Sequence, residues 1–213
     1  MHVHPGGGIE VVAPLRARPA EVQAFLAESQ AWIDRARRQL ANEPPADTRL
    51  PDEIELRATG GLVRVSYGCE TGRRRFLHEE GGELRIGAPR SHRLKSRKIL
   101  RDWLAQAGRE VLVPWLRAVS AELGIDYKKT QVRGQKTRWG SCSSQGVISI
   151  NYCLLFLRPE LVRYLFVHEL CHRRHFSHCR KYWRLVGSLE PEYKQLDRQL
   201  SESWRDVPGW VQG

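Results

Sequence analysis

The chain has 213 residues, a formal net charge of +11 at pH 7 and a hydrophobic fraction of 41%. That length and composition suit one well-packed domain, or one with a subsidiary lobe, and argue against disorder or a fibrous repeat. No apolar run approaches the ~20 residues of a bilayer-spanning helix, and the start Met-His-Val-His-Pro lacks the apolar stretch of a secretory signal. The expected location is therefore the cytoplasm, with no membrane partner. Five cysteines without the dense even spacing of a disulfide scaffold read as reduced thiols.

In chain order, Val22, Phe25, Leu26, Trp32, Ile33 and Leu40 recur at helical spacing, which predicts an amphipathic helix over 20–40 that ends before Pro44-Pro45. Between Glu53 and Ile86 the pattern turns to period two, as in Leu62-Val-Arg-Val-Ser-Tyr67, broken by glycines; this predicts short antiparallel strands. Leu100, Trp103, Leu104, Ala107, Leu112, Trp115, Leu116 and Val119 then line one helical stripe, with Pro114 expected to kink it. Thr137 to Ser144 reads as a turn and Val147 to Ile150 as a buried strand. Pro159 suits the first position of the next helix, and Glu160 suits its dipole.

Residues 91–140 hold twelve Lys or Arg against four Asp or Glu. Such an excess is either a solvated helix face or a surface for nucleic acid or nucleotide.

The chemistry gathers at His168-Glu-Leu-Cys-His172. On a helix, residues four apart differ by about 40° in azimuth and about 6 Å in rise, so both imidazoles reach one ion. Glu169 lies beside them, able to take a proton from water activated by that ion. The apolar run Leu161 to Val167 makes this helix buried, where ionisable groups without a cation are costly.

A zinc site needs a third ligand. His175 would lie about 10.5 Å along the axis from His168 if the helix continued. A chain that turns after Arg174 brings back His178 instead, and Ser177 can cap a following helix running to Gly187. His178 is preferred on that ground. His175, Cys179, Glu190 and Glu192 stay open as alternatives, whereas Cys171 points elsewhere on the wheel.

The segments Lys136-Thr-Arg-Trp-Gly-Ser-Cys-Ser143, Gly146-Val-Ile-Ser-Ile-Asn151, His168-Glu-Leu-Cys-His172 and His178, with Ala13-Pro14-Leu15 and Trp32-Ile33 upstream, together resemble the YgjP-like metallopeptidase family. The resemblance runs from about Ile9 to the C-terminus. It implies an α+β fold: a zincin-like helical metal-binding core with a small antiparallel β-sheet and a β-rich N-terminal lobe, here 1–90 and 91–213 of one domain spanning 1–213. It also implies Zn2+ held by His168, His172 and His178, Glu169 as general base, and Trp183 packed behind the third histidine.

The related SprT and WLM peptidases share the spacing, and their wider group includes enzymes that digest protein trapped on DNA. Ser177-His178-Cys179 stands where the family usually has Asn-His-Ser. The spacing is also that of metzincins, but the only methionine is Met1, so their downstream methionine turn is absent.

The expected activity is a zinc-dependent metallopeptidase acting on a polypeptide. Arg138, Asn151 and Tyr193 are candidate substrate contacts, and strand 147–151 is a candidate for backbone pairing with an extended substrate. Bacterial members of the resembled family have been linked to UTP hydrolysis, so a nucleoside triphosphate pyrophosphohydrolase is an alternative. The other alternative is a zinc-stabilised module associated with nucleic acid.

Overall fold

The computed structural model describes residues 2–3, 9–11, 17–35, 47–68, 76–78 and 82–212. They fall into two compact units, Met1–Asp47 and Thr48–Gly213.

In the first unit, β1 (His2–Val3) pairs antiparallel with β2 (Ile9–Glu10). Helix α1 (Pro19–Glu28) starts with proline in its first turn, and Glu21 reaches back to the Arg18 amide at 3.0 Å. The single helix predicted over 20–40 is interrupted: the chain turns at Ser29 and is helical again over 30–35. The Ser29 carbonyl accepts the amides of Trp32 and Ile33, as a serine suited to an N-cap position allows. No residue of α1 is buried, so the apolar face predicted for this stretch reduces to Ile33. Leu40 and Pro44-Pro45 lie outside the described residues.

The second unit opens with a four-stranded sheet in the order β3 (Glu53–Leu56), β4 (Gly61–Tyr67), β6 (Glu83–Ile86), β5 (Phe76–His78). Two pairings are antiparallel as expected, but β4 and β6 run parallel. Parallel neighbours need a crossover. Strand β5 lies within that connection, taking the outer edge before the chain returns to the gap. Ile54, Leu56, Leu84 and Ile86 alternate onto the core face.

Helix α2 (Arg93–Leu123) runs through Pro114 without a break and buries Ile99, Leu100, Trp103, Leu104, Leu112, Leu116 and Val119 along one stripe. It ends on Gly124 in the left-handed conformation. A second sheet follows in the order β7 (Lys129–Arg133), β9 (Val147–Asn151), β8 (Gly140–Cys142). It is mixed rather than antiparallel: β7 runs parallel to β9, and β8 antiparallel to it. The segment 137–144, expected as a turn, thus contributes the edge strand β8.

Helix α3 (Pro159–Cys171) is buried on nearly every side, with α4 (Arg180–Leu189), α5 (Tyr193–Glu202) and β8 among the elements it packs against. Trp139 stacks on Trp204 at 4.1 Å, and its indole N–H donates to the Leu200 carbonyl, tying the approach to β8 onto α5. The short α6 (Gly209–Gln212) closes the chain, with Trp210 against Phe156. Among the described residues no helix is long and apolar enough to cross a membrane, and Cys142, Cys153, Cys171 and Cys179 are free thiols.

Candidate metal centre

Helix α3 ends at Cys171, so His168 and His172 sit on its last turn and just past it. The chain then bends through 172–179 before α4 begins, bringing His178 back over the helix end. The cap of α4 is Cys179 rather than the expected Ser177. The nearest donor atoms of His168, His172 and His178 all lie within 4.8 Å of one another, and the Nε2 atoms of His168 and His178 are 3.2 Å apart. Tetrahedral zinc with ligands at 2.0–2.1 Å places its donors about 3.3 Å apart, a spacing that His168 and His178 already match.

The protonation state suits it too. Burial, reinforced by the neighbouring rings of His172 and His178, pushes the His168 pKa down to about 3, which keeps the imidazole neutral as a metal ligand requires. His172 is also shifted down, chiefly by burial. Its Nδ1 lies 3.2 Å from the His175 carbonyl oxygen, an acceptor only; Nδ1 therefore carries the proton and Nε2 is left for a metal. His175 enters the site through its backbone, and its ring is outside the convergent set.

Glu169 is 4% exposed, and its Oε2 has no hydrogen-bond partner. Burial raises its pKa to about 8 against an opposing pull from Arg138. The carboxylate fits only because Gly140 has no side chain: a Cβ there would stand 2.7 Å from Oε1. Gly140 went unrecognised in the sequence, although an isolated glycine in a strand often marks such a close approach. Tyr182, fully buried against the histidines, was also missed, since nothing in its local pattern separates it from an ordinary core aromatic.

The candidate substrate residues divide. Arg138 is exposed and close enough for its charge to act on Glu169. Asn151 is fully buried and spent inside the fold: Nδ2 donates to the carbonyls of Gln135 and Arg138, and Oδ1 accepts the Cys153 amide. Tyr193 stacks on Trp183, which stacks on His178 at 5.4 Å, so its ring lies two layers behind the third histidine. Strand β9 is also unsuited to pairing with substrate, because β7 and β8 flank it on both sides; the edge beside Glu169 belongs to β8. In the basic stretch, Arg93 and Arg97 donate to the Thr48 carbonyl and Lys98 pairs with Asp102, so part of that charge serves the fold.

Three convergent imidazoles beside a buried carboxylate define the class: a site able to hold a metal ion. The chain belongs to the YgjP-like metallopeptidase domain family, whose sequence model matches residues 1–203. Membership makes it a metal-dependent peptidase in general terms, with a polypeptide as the class of substrate. A solved structure described as the metallopeptidase zymogen of Pyrococcus abyssi abylysin is 25% identical, matching 45% of this chain and 97% of that one with a TM-score of 0.39. No protein of curated function matches the chain.

Proposed function

We propose that this chain is a zinc metallopeptidase with a zincin-like core, in which His168, His172 and His178 hold the ion and Glu169 is the general base. The observation that carries the reading is the approach of three imidazoles, two of them 3.2 Å apart through Nε2, beside a buried carboxylate. When bound there, zinc supplies Lewis acidity, polarising a carbonyl and lowering the pKa of water towards ~7.

Glu169 Oε2, buried without a partner, takes the proton from the attacking water and delivers it to the leaving amine. Its pKa is raised by burial; a divalent cation held by the three histidines would lower it and favour the basic carboxylate at neutral pH. Arg138, whose charge acts on the same carboxylate, orients a substrate oxygen in this reading. The outer edge of β8, unpaired among the described residues, lends its backbone groups to an extended polypeptide.

The test is purified protein with zinc, offered a denatured protein substrate beside a Glu169→Gln variant. Peptide cleavage should fall by about 10²–10⁴ in the variant, with bound zinc unchanged. UTP and single-stranded DNA form the other arms. Phosphate release from UTP without proteolysis, or DNA binding alone, would overturn the reading.

A further inference from the structure

An imidazole ring turns about two side-chain torsions, and three such rings meet at one point only if their surroundings leave each a single orientation. Two of the restraints here are evident: the His175 carbonyl holds His172 at Nδ1, and Trp183 backs His178. His168 Nδ1 is buried with no partner, so the first ligand has no such hydrogen bond to fix its ring.

Tyr182 touches all three. Its ring stacks on His172 at 4.7 Å and 26°, and meets His178 edge-on at 4.8 Å and His168 at 5.5 Å. Its hydroxyl donates to the His168 backbone carbonyl at 3.1 Å. That carbonyl is among the last four of α3, the groups a helix end leaves without intrahelical donors. One side chain thus presses on the rings of the second and third ligands and pins the backbone of the first. It comes from α4, four residues beyond His178, so it also couples the bend to the helix end it folds over.

We propose that Tyr182 is the positioning residue of the metal centre, a rigid floor that sets the angles between the three imidazoles and so the affinity for the ion. The inference rests on the metal site proposed above but not on which bond is cleaved. A flat ring with few torsions suits the role, because it offers each histidine a fixed surface at small entropic cost. An aliphatic side chain of similar bulk fills the space without fixing the rings. A floor and a core filler therefore make different predictions for the same substitution.

The experiment titrates zinc by competition with a chromophoric chelator, and records the visible spectrum of the cobalt(II)-substituted full chain, in wild type, Tyr182→Leu and Tyr182→Phe. With a floor, Tyr182→Leu weakens zinc binding roughly 10–100-fold, the usual effect of losing a group that orients a metal ligand, and alters the cobalt bands. The melting temperature of its metal-free form changes far less than this loss of affinity. Tyr182→Phe keeps the ring and loses less than about tenfold.

Wild-type zinc affinity with an unchanged cobalt spectrum in Tyr182→Leu would overturn the inference, as would a loss that only tracks unfolding of the metal-free protein. Should that variant fail to fold, Tyr182→Met, apolar and flexible enough to fill the same space, decides by the same two readouts. Wild type binding no zinc would instead sink the metal site itself.

Discussion

Asn151 and Glu169 are both buried polar groups close to β8, and their surroundings are opposite. Every polar atom of the Asn151 side chain is matched: two carbonyls receive its amide and its oxygen receives an N–H. Glu169 Oε2 has no partner, and the carboxyl is pushed well above its ordinary pKa by burial alone. A group whose hydrogen-bonding capacity is consumed holds the fold together, whereas a buried group left short marks the place where chemistry or a cation is to enter.

The two residues should accordingly fail in different ways. The largest effect is expected from Asn151→Ala, which strands the carbonyls of Gln135 and Arg138 and the amide of Cys153. Denaturant unfolding should show a loss of about 3–5 kcal/mol, the sum expected for a few buried groups left unmatched. Proteolysis per folded molecule should stay close to wild type. A variant that keeps its stability would erase the contrast.

A smaller change should appear in the metal-free protein as pH varies. The Glu169 pKa is raised from 4.5 to about 8, so between those values the folded state keeps a proton that the unfolded state has released, and stability falls as pH rises. His168 acts in the opposite sense: its pKa drops from 6.5 to about 3, so stability is lost as pH falls through that window. The two trends overlap below pH 6.5, which leaves the window from 6.5 to 8 to Glu169. Melting temperatures of the chelated protein should decline there in wild type and level off in Glu169→Gln; parallel curves would refute the assignment.

The smallest expected effect is that of Gly140→Ala, whose new methyl group must displace the Glu169 carboxylate from a 2.7 Å contact. Peptide cleavage should fall roughly tenfold, since small misplacements of a catalytic group are costly, while bound zinc stays constant. Equal loss of zinc and activity would mean that the strand supports the histidines rather than the carboxylate.

Part of this was open to reading along the chain. The stripe of α2, the buried run of α3 and the four-residue step from His168 to His172 are periodicities, and a helix converts periodicity directly into a face. The return of His178 was a preference among several candidates, because a bend has no period from which its direction can be read. Strand order was read less well. Alternation shows which side of β3, β4 and β6 faces inward, but it says nothing about which neighbour each strand takes, so the parallel β4–β6 pair and the edge position of β8 were missed.

The chain's own pattern of residues is enough to place it in a metallopeptidase family and to put two imidazoles and a carboxylate on one helix, since both depend on short-range spacing. Tertiary structure alone decided that Asn151 is spent within the fold, that Gly140 makes room for Glu169, and that Tyr182 lies beneath all three histidines. Those outcomes depend on contacts between segments far apart in sequence, and burial and partnership come into being only when such segments pack.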